Sequence, residues 1–169
     1  KLLILNGLKK VFYVSGNHDL VYGLDDLRTI LSNLTFMDNS CIEFTYNKIQ
    51  ITLCGLADRF AMVFGHKRDE DLIMGQLSKS QNSILIAHQP KDYKYAVKSN
   101  SCLFLCGHTH GGQIFPFHYM VRLFQPFLSG LFYKNKTAIY VNKGLGTWGI
   151  HARYKADSEI TLIKVCNEY

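Results

Sequence analysis

Three apolar runs of strand length in this chain each end in a turn that carries histidine, and that repetition constrains the fold more than any other feature. Residues 11–14 run into Ser15-Gly16-Asn17-His18-Asp19. The run 83–87 delivers His88-Gln89-Pro90, and the run 102–106 gives way to Gly107-His108-Thr109-His110-Gly111-Gly112-Gln113. Short apolar runs bounded by glycine or proline read as buried strands. Helical spacings lie between them: Leu24, Leu27, Ile30, Leu31 and Leu34 within residues 23–34, and Leu72, Ile73 and Leu77 within residues 66–81. Strands with one habit, separated by helices, describe one sheet presenting one edge. In α/β folds ligands bind outside the carboxyl ends of the strands.

The residue types at that edge suit metal or phosphate chemistry. Imidazole is the commonest metal ligand, and His108 and His110, flanked by glycines that let the backbone bend, can point into one cavity. Asn17 offers a neutral oxygen donor, His18 a proton, and Asp19 a partner that fixes an imidazole tautomer. Blander readings exist for each. His-x-His can be a solvent-facing turn, Asn17 or Asp19 can cap the next helix, and a lone histidine such as His88 is usually a satisfied side chain. The shared strand-end position is what makes His88 a candidate ligand. His66 and His118 read as structural, and Asp58 as a turn residue.

Length and composition set outer bounds. The 169 residues suffice for one domain with a real core, and 47% hydrophobic against 19% charged residues fits a globular chain. No apolar stretch is long enough to span a bilayer as a helix. The balance of 19 Lys+Arg against 13 Asp+Glu, +6 in all, suits anionic substrates or an anionic membrane surface. Its basic residues are scattered, apart from residues 66–68 and 91–98, so a nucleic-acid partner is not expected. Cys41, Cys54, Cys102, Cys106 and Cys166 show neither zinc-finger spacing nor a secreted framework, and read as buried free thiols.

The remaining segments are ordinary structure with one exception. Residues 42–46 and 49–53 flank Asn47-Lys48 as a hairpin. A helix is expected over residues 91–97 after Pro90, and strands over residues 137–141 and 160–165. The exception is the Phe-, Tyr- and Leu-rich stretch 114–133, whose poor periodicity predicts irregular structure. Core packing is its first reading, and a lip over the site meeting a lipid-like substrate or a membrane face is the second. Trp148, in a glycine-rich turn, is a candidate for lining the pocket.

Gly16-Asn17-His18-Asp19, His88 after a strand, and Gly107-His108-Thr109-His110, in that order, resemble the calcineurin-like metallophosphoesterases. Together with residues 140–147 and Glu159-Ile160-Thr161-Leu162 they look like a bacterial branch anchored in the membrane by one amino-terminal segment. The resemblance runs from about Leu8 to Val165. It implies an α/β fold, a two-sheet sandwich flanked by helices, of which residues 1–169 form the carboxyl-terminal part of a single domain. It implies two divalent metal ions (Mn, Fe or Zn), with Asn17, His88 and His108 on the second, His110 on the first, His18 as the acid for the leaving group and Asp19 orienting it. A phosphate ester or pyrophosphate bond, such as that of a phospholipid or lipid-linked sugar, would be hydrolysed at the cytoplasmic membrane by a metal-activated water.

The departures from that pattern bear on activity. The resemblance also requires an Asp-x-His motif and a Gly-Asp motif that supplies a bridging carboxylate. No aspartate here is followed two places later by histidine, and no Gly-Asp pair occurs. Both would precede Lys1, so the chain alone is expected to be inactive. The alternatives are a non-catalytic remnant that binds one metal or a partner, and a nuclease-type phosphodiesterase. Substrate, metals and oligomeric state are left open by the sequence.

Overall fold

A computed structural model describes residues 10–46 and 48–164. Strand β1 (Phe12–Tyr13) leads into helices α1 (Asn17–Tyr22) and α2 (Leu24–Ile30). Strands β2 (Thr35–Phe36), β3 (Ser40–Tyr46) and β4 (Ile49–Leu56), helix α3 (Glu70–Leu77), strand β5 (Ser83–Ala87) and helix α4 (Tyr93–Lys98) come next. They are followed by β6 (Leu103–Cys106), α5 (His118–Phe124), β7 (Gly130–Lys134) and β8 (Thr137–Val141). Six strands form one sheet in the order β3-β4-β5-β6-β8-β7, and β1 and β2 pair in a second, two-stranded parallel sheet. The four middle strands of the large sheet are parallel; β3 and β7 close its edges antiparallel.

The core follows from the alternation of side chains along those strands. Leu85 and Ala87, Phe104 and Cys106, and Ile139 and Val141 face the same way. They pack against Ile73 and Leu77 of α3 and Ala96 of α4. A buried ion network ties these helices to the sheet: Arg59 and Arg68 both reach the Asp92 carboxylate at 2.9 Å, and Arg68 also pairs with Glu70 at 2.8 Å. A smaller cluster of Leu20, Leu24, Ala57 and Ala61 seats α1 and α2 beside the end of β4. No helix among the described residues is long and apolar enough to cross a membrane.

Parallel pairing aligns the strand ends. Register places Leu56 beside Ala87, Ile86 beside Leu105 and Cys106 beside Val141. The ladder continues one step into the turns, where Gly107 N–H donates to the His88 carbonyl at 3.0 Å and Asn142 N–H to that of Cys106 at 2.8 Å. Those bonds bring the turns after β5, β6 and β8 to one edge.

Several expectations need correction. The helix foreseen over residues 23–34 stops at Ile30, because the chain turns so that Leu31 and Leu34 are both buried while Ile30 stays exposed. The helix foreseen over residues 66–81 is confined to α3, capped by Asp69, and Leu72 lies on its exposed side. The strand foreseen over residues 160–165 is absent through residue 164: Ile160 and Leu162 are exposed, and no strand pairs with them. Val165, Cys166 and the turn residue Asn47 lie outside the described residues. Cys41 and Cys54 are not free thiols. They oppose each other in the β3–β4 register and form a disulfide. The stretch 114–133 is only in part irregular and only in part core: Phe127 and Phe132 pack against the main cluster. It holds α5, with no buried residue, and β7, which makes a hairpin with β8 around Asn135.

Candidate active site at the strand ends

The turn after β1 is built to hold its shape. Ser15 N–H and Oγ donate to Asp38 Oδ1 at 3.0 and 2.6 Å. Gly16 N–H and the Tyr13 hydroxyl donate to Asp19 Oδ2 at 2.7 and 2.9 Å. Burial, together with the neighbouring carboxylates of Asp19 and Asp38, pushes the Tyr13 phenol up, so it stays a donor. Asp19 therefore caps α1, the helix that begins with Asn17 and His18. Its carboxylate is engaged by Gly16 and Tyr13, within the turn that carries His18.

Gly16 also lets two strand ends approach. A Cβ on it would stand 2.7–2.9 Å from three atoms of the His88 ring. In that space Asn17 Oδ1 lies 2.9 Å from His88 Nε2, and His108 Nδ1 lies 3.1 Å from the same nitrogen. Three donor atoms from three turns thus converge. One nitrogen, His88 Nε2, is shared by both contacts, so the two compete for it whichever tautomer each ring takes. A cation bound there would replace that competition with oxygen and nitrogen donors from Asn17, His88 and His108. Donor atoms about 3 Å apart suit one ion with bonds of about 2.1 Å.

Electrostatics favour the neutral imidazoles a metal requires. Burial, then the charges of His110 and His18, lowers His88 to about 4. Burial and the adjacent His88 lower His108 to about 4, partly opposed by the buried Asp58 carboxylate. Asp58 is a turn residue as expected, accepting from Phe60 N–H at 2.8 Å and from the Gln89 amide at 3.0 and 3.1 Å.

His110 stands apart from this trio. Its ring meets Arg153, whose NH2 lies 3.3 Å from Nδ1, and burial followed by that guanidinium lowers its pKa. Positive φ at His108, His110 and Gln113, with Gly111 and Gly112 between, gives the turn its tight path. Among the described residues, no group of three or more His, Cys, Asp and Glu side chains is placed to hold a metal ion. Around His88 there are two such residues and the amide of Asn17.

A cavity of about 310 Å³ joins these parts. Asn17, His18, His88, His108 and His110 line one side; Phe117, Met120, Val121, Phe124 and Trp148 line the other. No Lys, Arg, Asp or Glu lines it. Of the aromatic stretch expected to pack the core, Phe127 and Phe132 do so, while Phe117 and α5 supply an exposed wall. Trp148 stacks on Phe117, ring centroids 6.4 Å apart and planes 18° apart. Arg153 was invisible to sequence reasoning because nothing around it has a motif. Helix α5 was missed although Phe117, Met120, Val121 and Phe124 recur at helical spacing, because Tyr119 and Leu123 blur that stripe.

Comparison with known proteins points the same way. An uncharacterized metallophosphoesterase from Helicobacter pylori is 41% identical, the match covering 97% of this chain and 45% of that protein. A Campylobacter jejuni metallophosphoesterase is 36% identical over 98% of the chain and 44% of its own length. A zebrafish (Danio rerio) protein named as a transmembrane protein with a metallophosphoesterase domain is 32% identical over 90% of the chain and 38% of its own length. This chain spans under half the length of these relatives. No family model matches it. In fold, it resembles a Staphylococcus aureus protein assigned as a 5′-nucleotidase and crystallised with alpha-ketoglutarate. The TM-score is 0.57 at 13% identity, over 83% of this chain and 34% of that one.

Proposed function

We propose that this chain, which belongs to the metallophosphoesterases and has part of their calcineurin-like fold, contributes the histidine half of a phosphoester hydrolase site. The observation that carries this reading is the convergence of Asn17 Oδ1, His88 Nε2 and His108 Nδ1 at neighbouring strand ends. These three would hold one divalent cation, Mn, Fe or Zn. When bound, such an ion supplies Lewis-acid stabilisation of the phosphoryl oxygens and an acidified water. His18, exposed at the cavity, would give its proton to the leaving oxygen, and the Asp19-capped turn holds it there.

A second cation would need His110 together with the carboxylates of an Asp-x-His and a Gly-Asp motif, neither of which occurs in residues 1–169. That is why we read residues 1–169 as the carboxyl-terminal part of one domain, inactive on its own. The apolar wall supports a substrate in which a phosphate ester or pyrophosphate adjoins an apolar group, such as a phospholipid or lipid-linked sugar. The zebrafish relative's name supports work at a membrane, with attachment through a segment outside this chain.

The test is metal content and hydrolysis of an aryl phosphodiester in added Mn, for this chain and for its longest natural gene product. Two metals and turnover only in the longer protein are expected. There, His108→Ala should lose one metal and activity. His18→Ala should keep metal and slow poor leaving groups most. If the longer protein neither binds metal nor turns over, a non-catalytic remnant becomes the better reading.

A further inference from the structure

Residues 143–156 form no strand and no helix, yet they build one wall of the cavity. Two side chains hold them. The Arg153 guanidinium donates to the carbonyls of Gly146 (Nε, 2.9 Å), Lys143 (NH2, 2.8 Å), Gly144 (NH2, 3.2 Å) and Ala156 (NH1, 2.8 Å). It reaches across to the His110 carbonyl at 3.2 Å and to His110 Nδ1 at 3.3 Å. Gln113 clips Trp148 from the other side. Its Nε2 donates to the Trp148 and Ile150 carbonyls at 2.7 and 3.0 Å, and its Oε1 accepts from Trp148 N–H at 2.5 Å.

Arg153 does this without a counter-charge. Among the described residues it makes no ion pair with Asp or Glu. A guanidinium satisfied by neutral carbonyls keeps its full positive charge, and here it stands directly behind His110, beside a cavity with no charged lining residue of its own. The planar fork explains why the residue is arginine: one side chain must bind carbonyls in several directions at once, which the point charge of lysine does not.

We propose that Arg153 is a positioning residue for this site. It fixes residues 143–156 against the His110 turn, so that Trp148 stands as the outer wall and a permanent positive charge lies behind His110, outside the cavity lining, where it acts through space on a bound phosphate. This rests on the reading that the cavity receives a phosphate ester, but the position of Trp148 can be measured without it.

Trp148 is the one tryptophan in the chain, so its fluorescence reports the wall directly. Ligand-free Arg153→Lys and Arg153→Met should both shift Trp148 emission to the red and make it easier to quench with acrylamide. Phenylphosphonate titration should then separate fork from charge. We expect binding about 10-fold weaker in the Lys variant and weaker still in the Met variant, with reduced salt dependence only in Met. Gln113→Glu faces the Trp148 and Ile150 carbonyls with an acceptor, and should release Trp148 while Arg153 stays in place. It decides the matter if Arg153→Met loses its folded circular dichroism. Wild-type emission and quenching in Arg153→Lys and Gln113→Glu would overturn the proposal. Altered emission with no phosphonate binding in any form, wild type included, would leave the wall assigned and overturn the phosphate part.

Discussion

Gly16→Ala tests the strand-end site without touching any donor atom. The backbone at Gly16 has φ −104° and ψ 174°, which alanine adopts freely. The added methyl, however, would lie 2.7 Å from His88 Cε1, about 0.7 Å inside ordinary contact. The ring is hemmed in by Asn17 and His108, at 2.9 and 3.1 Å, so it has to swing away from both. A shift of that size breaks a three-donor arrangement. Displaced supporting groups cost metal sites about 10–100-fold in affinity, or ~1.4–2.7 kcal/mol. Global stability should change by only about 1 kcal/mol, since the lost glycine freedom partly offsets the crowding. The assay is a Zn or Mn titration by calorimetry, beside imidazole nitrogen shifts from NMR on the metal-free protein and a urea melt. Affinity within twofold of wild type, with unmoved His88 ring signals, would refute the argument that Gly16 is there to admit the ring.

Two further outcomes are expected. Asp92→Ala leaves the buried guanidinium of Arg68 without its partner, which should cost about 3–5 kcal/mol. At about 2–4 °C per kcal/mol the melting temperature should fall by roughly 6–20 °C, and a scanning-calorimetry shift under 2 °C would show the network to be dispensable. His88 and His108 both titrate lower in the folded protein, at about 4, than the usual 6.5. The unfolded chain therefore takes up protons first. Stability from each ring is fully present above about pH 6.5 and is lost as pH falls towards 4, on the order of 3 kcal/mol for one imidazole. Urea midpoints that stay flat between pH 7 and 4.5 in metal-free buffer would show that these rings are not buried neutral.

Local chemistry made much of this molecule legible before any coordinates. Strands β5 and β8 and the β3–β4 hairpin follow from apolar runs punctuated by Pro90, glycine and an Asn-Lys turn, because those signals act within a few residues. The histidine turns were legible for the same reason: a strand that ends in glycine and imidazole places its ligand at the sheet edge. The Cys41–Cys54 pair was within reach too, since the hairpin register extended by one residue on each strand puts them opposite each other. β7 carries the same turn signature, Asn135-Lys136 before residues 137–141, and was hidden by the aromatic run around it.

Distance in the chain is what the sequence could not bridge. That His88 shares one nitrogen with Asn17 and His108 depends on three turns, 71 and 20 residues apart: two follow β5 and β6 in the large sheet, and the third follows β1 in a separate sheet, so the single sheet foreseen for all three is two. Whether Phe117, Met120 and Phe124 are core or surface is a question of what else competes for the space beside α5. Periodicity cannot answer it when Tyr119 and Leu123 blur the stripe. Arg153 has no motif, because its partners are backbone carbonyls that any sequence supplies. The sequence by itself determined which residues can bind metal or move a proton, since that is a property of the side chain. Only the tertiary structure decided which of them meet, and that Trp148 completes the cavity while Arg153 holds its turn against His110, since those follow from where the backbone turns.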